Sequence, residues 1–65
     1  MKAEKIRELA DAELAHQLAE TEDKLFRLRF QLSMGQAEGL KRYKELKKDR
    51  ARILTERRVR EMAGQ

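Results

Sequence analysis

The chain has no cysteine, no proline, no tryptophan and only one histidine among its 65 residues. Without cysteine, neither a disulfide-stapled fold nor a thiolate metal site can form. One histidine and no cysteine also leave no zinc finger and no histidine-cluster metal centre. Because proline is absent and only three glycines occur, the chain has few breaks, which favours long helices over short strands.

Long apolar runs are missing as well. No stretch of about 18 apolar residues exists, so we expect no membrane-spanning helix. No apolar segment follows the first residues, so we expect no secretion signal. The lone serine, Ser33, lies more than four helical turns from the lone histidine, His16, and no glycine-rich phosphate loop occurs. We therefore expect no enzyme, no cofactor and no metal.

Charged residues are abundant and make up 43% of the chain, which has a net charge of +4. Residues 1–23 carry three basic and seven acidic side chains, whereas residues 24–60 carry thirteen basic and four acidic ones. A polyanion such as a nucleic acid would be attracted to the second segment. The plainer alternative is a solvated helix surface that keeps the chain soluble.

The apolar residues indicate a marginal core. The chain has eighteen larger apolar side chains, and its other apolar residues are eight alanines. Full burial of one such side chain stabilises a fold by about 1.5–3 kcal/mol, whereas ordering each residue costs about 1.5 kcal/mol. Two helices cannot bury that many side chains against each other, so we expect a fold that relies on a partner.

Two segments repeat apolar residues at helical spacing. The first seam is interrupted only by one threonine and comprises Leu14, Leu18, Thr21, Leu25, Leu28 and Leu32. The second seam, with Leu54 beside it, comprises Leu40, Tyr43, Leu46, Arg50, Ile53 and Arg57. These patterns predict an all-α fold, a long antiparallel two-helix hairpin that forms one domain over residues 1–65. The helices are expected at about 12–34 and 40–60, with a turn at 35–39.

The ends of the helices carry further signals. Residues 1–10 predict a short helical turn with Ile6 on its apolar side. Asp11 is expected to cap the first long helix, and Gly35 to end it in a left-handed conformation. The residues after Arg60 have little to pack against and are expected to fray.

Two phenylalanines remain outside the first seam. Phe26 and Phe30 lie one turn apart on a face about 120° from the leucines. Either the second helix or the N-terminal turn covers them, or they form a second apolar surface for another macromolecule. Arg27 and Arg29 flank them, and interleaved arginine and phenylalanine suit an RNA surface that offers phosphates and bases.

The second helix carries a row of cations, the basic stripe, which comprises Lys41, Lys44, Lys48 and Arg52. Such a stripe can follow a phosphate backbone, although many solvated helix faces look similar. Arg50 and Arg57 are unusual because they occupy seam positions. Arg50 would snorkel, pair with an acidic residue of the first helix, or reach RNA.

The segment Leu25-Phe26-Arg27-Leu28-Arg29-Phe30-Gln31, followed by Gly35-Gln36, resembles the universal large-subunit ribosomal protein L twenty-nine family of bacteria. The C-terminal half agrees at the family's spacing through Arg42, Lys47-Lys48-Asp49, Ala51-Arg52-Ile53 and Thr55. With Ile6-Arg7-Glu8-Leu9, the resemblance covers about residues 3–60. Arg50 departs from the branched aliphatic usual in the family, and Gly39-Leu40 replaces an Asn-Pro-like pair.

The resemblance implies a structural, ribosome-bound protein of the cytoplasm. Members of this family are helical hairpins that bind large-subunit ribosomal RNA beside the nascent-chain tunnel exit. Their neighbour is ribosomal protein L twenty-three, and trigger factor and the signal recognition particle dock nearby. The matching basic residues, which we expect to contact phosphates, are Arg29, Arg42, Lys47, Lys48 and Arg52.

The charge pattern adds three further candidates for RNA contacts, which are Arg27, Lys41 and Lys44. Phe26 and Phe30 are expected to pack against RNA or the neighbouring protein.

Two alternatives to a ribosomal protein stay open. The chain could be a helical interaction module that self-associates into a four-helix bundle. It could instead lie as a basic amphipathic helix on a membrane surface, which the acidic first third and the lack of tryptophan disfavour.

Overall fold

A computed structural model describes residues 1–64 of the chain, and within them the fold is all-α. Helix α1 spans Ala3–Glu8, α2 spans Asp11–Ser33 and α3 spans Leu40–Ala63, with a 3₁₀ turn at Ala37–Gly39. Helices α2 and α3 form a long antiparallel hairpin, and α1 packs against α3. The predicted two-helix hairpin with a short N-terminal helical turn is therefore confirmed.

The start of α2 differs from the expected one. Ala10 is the N-cap residue and makes no side-chain hydrogen bond to the helix, so the prediction that Asp11 caps α2 is wrong. The Asp11 carboxylate instead accepts a hydrogen bond from Arg60 Nη1 at 2.7 Å. Asp11 and Glu13 still place negative charge in the first turn, where the helix dipole favours it.

The end of α2 follows the expected geometry. Gly35 has a φ of +85°, which confirms the predicted left-handed conformation. Its N–H donates to the Leu32 carbonyl at 3.0 Å, and the Gln36 N–H donates to the Gln31 carbonyl at 3.2 Å. These paired bonds form a Schellman motif, which satisfies the last carbonyls of the helix. The 3₁₀ turn then leads directly into α3.

Helix α3 continues three residues beyond the expected end at residue 60. The Gly64 N–H donates to the Arg60 carbonyl at 3.0 Å, so the backbone stays helical up to Ala63. Helix α1 lies against the second half of α3. The Arg60 side chain joins the two, because its Nη2 donates to the Leu9 carbonyl at 2.6 Å.

The core is thickest where α1 joins the hairpin. Ile6 is 1% exposed and packs in one cluster with Leu14, Leu18 and Ile53. Three elements therefore contribute to this end of the molecule, and Leu54 is packed against the cluster. Full burial of each such side chain stabilises the fold by about 1.5–3 kcal/mol, so α1 contributes to the core despite its length.

Toward the turn between α2 and α3 the core has only two layers. Thr21 and Leu46 are buried here, but several seam residues are only half-buried, namely Leu25, Leu28, Leu32 and Tyr43. At its two ends the second seam is open, because Leu40 and Arg57 are exposed. The periodic pattern therefore places the interface correctly but overstates its length.

The molecule is elongated, with extents of 45 × 17 × 16 Å. Its accessible surface is 5346 Å². A compact protein of the same mass would expose about 4,300 Å². Such excess surface favours contact with a large partner. Over residues 1–64 no helix combines the length and the apolar character needed to cross a bilayer.

Candidate nucleic-acid interface

Phe26 and Phe30 lie on the open surface, with 72% and 61% of each residue exposed. Helix α3 packs over the first seam and leaves most of each phenylalanine uncovered. Helix α1 packs against the second half of α3, away from the turn. The alternative in which the second helix or the N-terminal turn covers these rings is therefore wrong. They remain an uncovered apolar surface on α2.

A cleft of 340 Å³ opens between α2 and α3 in the half of the hairpin nearer the turn. We call it the aromatic cleft. Helix α2 contributes Glu22, Leu25, Phe26 and Arg29 to its lining, and α3 contributes Tyr43, Lys47 and Arg50. Two aromatic rings, three cations and one carboxylate thus meet in one place. The cleft thus lies along one edge of the interface between α2 and α3.

Charges inside the aromatic cleft are only partly paired. Arg50 Nε donates to Glu22 Oε1 at 3.3 Å, so of the three alternatives for Arg50 the structure shows pairing with an acid of the first helix. Both partners are about half exposed, and such a pair contributes at most about 1 kcal/mol. The Lys47 Nζ lies 5.7 Å from the centroid of the Tyr43 ring, a cation–π contact. With one carboxylate against three cations, the cleft has a net positive charge.

All eight basic residues predicted as RNA contacts are exposed. The structure brings Arg29 and Lys47 together at the aromatic cleft beside Phe26. The basic stripe lies along α3, which is unbroken over its whole length, so its four cations share one side of the helix.

Arg27 and Arg42 lie outside the aromatic cleft and each pairs with an acidic residue on its own helix. Arg27 Nη2 lies 3.2 Å from Asp23 Oδ2, and Arg42 Nη1 lies 3.8 Å from Glu45 Oε2. Both pairs are well exposed, so water and salt screen them strongly. Either arginine could exchange its carboxylate partner for a phosphate at small cost.

Arg52, the last member of the basic stripe, binds the start of the chain. Its Nη1 donates to the Met1 carbonyl at 3.0 Å and lies 3.5 Å from Asp49 Oδ1. The same Asp49 oxygen accepts from the Met1 amino group at 2.6 Å. A phosphate contact by Arg52 would therefore compete with bonds that hold the N-terminal segment.

Tyr43 is the site residue that the sequence did not single out, because its spacing assigns it to the second seam. It is half-buried, with its ring at the edge of the aromatic cleft. The sequence could have indicated its place beside Lys47, because Tyr43 lies one turn earlier and residues four apart on a helix are neighbours. Periodicity alone does not distinguish an aromatic residue in a seam from one at the open edge of a seam.

Arg60 is the second residue that the sequence did not reveal, and it supports the scaffold. Besides Asp11 and Leu9, it donates to Glu56 Oε2 at 3.1 Å and to the Arg7 carbonyl at 3.3 Å. The hydrogen bond to the Asp11 carboxylate, followed by that to Glu56, raises the pKa of Arg60 above its ordinary value despite an opposing effect of desolvation. Residues 1–64 contain no group of three or more His, Asp or Glu side chains that could hold a metal.

Known proteins similar to this chain are ribosomal. The family described as Ribosomal L29 protein matches residues 4–60. The large ribosomal subunit protein uL29 of Solibacter usitatus is 49% identical over 65 residues, covering 100% of this chain and 97% of that protein. The uL29 of Carboxydothermus hydrogenoformans is 52% identical over 65 residues, covering 100% and 94%. That of Geobacillus stearothermophilus is 46% identical over 64 residues, covering 98% and 97%. No solved structure matches the chain significantly.

Proposed function

The chain belongs to the ribosomal L29 protein family, and from this premise we propose that it binds ribosomal RNA in the large ribosomal subunit. Family membership makes it a structural ribosomal protein and not an enzyme. It acts in the cytoplasm as part of the ribosome. This assignment agrees with the resemblance noted in the sequence, which rested on the Leu25–Gln31 segment and the basic C-terminal half.

The observation that carries RNA binding is the aromatic cleft with its uncovered phenylalanine and its surplus of cations. Exposing Phe26 and Phe30 beside Arg29 and Lys47 adds nothing to the stability of the isolated chain. RNA-binding surfaces combine cations, which contact phosphates, with rings, which stack on bases. We therefore propose Arg29 and Lys47 as the central phosphate contacts. The outer contacts are Arg27, Lys41, Arg42, Lys44, Lys48 and Arg52.

We further propose that the protein lies near the exit of the nascent-chain tunnel. Its neighbour there would be ribosomal protein L twenty-three, and its open surface would add to the docking area of trigger factor and the signal recognition particle. Support for this placement comes from the family resemblance. The elongated shape, 45 Å long and 17 Å wide, suits a protein that lies along a surface.

RNA binding is tested by measuring the affinity of the full chain for large-subunit RNA over a range of salt concentrations. The affinity should fall steeply with salt, because phosphate contacts release bound cations from the RNA. A double variant, Arg29→Gln with Lys47→Gln, should reduce the salt slope by about 2, because each of the two side chains that no longer neutralises a phosphate lowers the slope by about one unit.

The matched control is Arg57→Gln with Arg58→Gln, which removes the same charge from exposed positions outside the predicted site. This control should change the affinity much less. Equal reductions of the affinity in the two double variants would contradict the assignment of the central contacts. A stable dimer in sedimentation, without affinity for RNA, would favour the four-helix bundle instead.

A further inference from the structure

We propose that the aromatic cleft receives a single unpaired nucleobase of the large-subunit RNA, an inference that rests on the proposed RNA-binding function. The base would enter between Phe26 on α2 and Tyr43 on α3. The cations at the cleft would contact the phosphates on either side of that nucleotide.

The rings are the first reason. Phe26 is 72% exposed, and Tyr43 reaches the same cleft from the facing helix. Sequence-tolerant contacts to single-stranded nucleic acid are made by aromatic side chains on which bases stack. A paired base in an A-form helix cannot reach such a ring, whereas an unpaired base in a loop or bulge can. The geometry therefore favours one displaced base over a duplex.

The charge of the cleft is the second reason, and it favours RNA over a protein side chain. Glu22 is engaged by Arg50, whereas Arg29 and Lys47 make no ion pair within residues 1–64. An apolar side chain from a neighbouring protein would leave these cations without a counter-charge and would partly desolvate them. A nucleotide supplies a ring for Phe26 and Tyr43 and phosphate oxygens for Arg29 and Lys47.

The size of the cleft is the third reason. Its volume of 340 Å³ lies near the lower end of the range of about 300–1,000 Å³ that is typical of small-molecule sites. One base with its sugar suits such a volume. The proposal is therefore limited to one base.

The chain contains its own reporter, because Tyr43 is its only tyrosine and tryptophan is absent. The full chain is titrated with a single-stranded octamer of adenylate and with an abasic phosphodiester of equal length and charge. A base that stacks at the cleft should quench Tyr43 fluorescence, after correction for absorption by the RNA. The adenylate octamer should bind about tenfold more tightly than the abasic one, as expected for one base–aromatic contact.

Two substitutions at exposed apolar residues separate the cleft from the general surface. Phe26→Leu should reduce the preference for the adenylate octamer to near one. Met62→Leu should leave it unchanged, because Met62 lies near the far end of α3 and does not line the cleft. Both residues are exposed, so neither change should affect folding. Tyr43→Phe should retain the preference, since it keeps the ring.

Contact between this cleft and RNA in the ribosome is tested by assembling large subunits with a photoreactive benzoylphenylalanine in place of Phe26. Cross-linking to a single RNA position supports the proposal, whereas cross-linking only to a neighbouring ribosomal protein overturns it. Equal affinity for the two octamers with unquenched Tyr43 also overturns it. In that case salt-sensitive binding to large-subunit RNA would still support the proposed function, so the two failures are distinguishable.

Discussion

Ile6 links the six-residue helix α1 to the hairpin, and its truncation tests whether α1 is an integral part of the fold. The side chain is 1% exposed and lies in the cluster with Leu14, Leu18 and Ile53. Truncating a buried isoleucine to alanine costs about 2–5 kcal/mol. A helix as short as α1 can move inward to fill part of the cavity, so Ile6→Ala should cost about 2–3 kcal/mol. A domain of this length has a total stability of about 3–10 kcal/mol.

The assay is urea unfolding of the full chain, followed by the helical circular dichroism signal. With a slope near 1 kcal/mol/M for a small protein, the unfolding midpoint should fall by about 2–3 M. Amide hydrogen exchange adds spatial detail. In the Ile6→Ala variant the α1 amides should lose their protection first, followed by the second half of α3.

Met62→Ala is the matched control, because it also truncates an apolar side chain but at a position that is 66% exposed. It should change the free energy of unfolding by no more than about 0.5 kcal/mol. If Ile6→Ala shifted the midpoint no more than Met62→Ala does, the reasoning that the core has three layers would be refuted.

Three further predictions concern backbone conformation and Arg60. Gly35→Ala should destabilise the fold by about 1 kcal/mol in urea unfolding, because a side chain strains the left-handed backbone at φ +85°. The added Cβ would meet nothing within 4 Å, so the cost is conformational. Gly35→Asn should cost less, since asparagine tolerates this conformation better. Gly39→Ala should stay within about 0.5 kcal/mol of the parent, because the new Cβ comes close only to the movable end of Leu28, at 2.9 Å, with Gln31 Oε1 at an ordinary 4.0 Å. Alanine also lowers the conformational entropy of the unfolded chain. Arg60→Met should speed amide exchange in α1 and lower the unfolding midpoint, whereas Arg58→Met, at an exposed position, should do neither.

The hairpin was predictable because its information is local. The leucine spacing identifies which side of each helix faces the other, and the glycine at position 35 marks where α2 stops. Leu14, Leu18 and Ile53 are buried as their spacing indicates. Leu40 was misjudged, because a periodic pattern does not show where the facing helix ends.

The errors at the N-terminus have a different cause. Asp11 has the chemistry of a cap, but its carboxylate bonds to Arg60, which lies 49 residues away in the sequence. The same holds for Arg60 itself, whose acceptors in and just after α1 lie 51 to 54 residues away. No local pattern contains such a pairing, because it depends on how α1 lies on α3.

The candidate site was predictable in its components and less so in its arrangement. The surplus phenylalanines and the nearby cations could be identified from spacing and charge. Their assembly with Tyr43 into a cleft depends on how α2 and α3 pack against each other, which is a property of the whole fold. Arg50 had three possible roles, and only the position of Glu22 across the interface decided among them.

The docking of α1 on the second half of α3 also determines the order in which the chain can fold. Its partners there, Asp49, Arg52 and Ile53, belong to α3, the last helix to be synthesised, so the N-terminal segment has no surface to bind until much of α3 has been made. Helix α2 can form early from local interactions, but closure of α1 must bring distant parts of the chain together, which is slower. The last step of folding therefore follows synthesis of α3. Until that step, the chain is an open hairpin with α1 unattached.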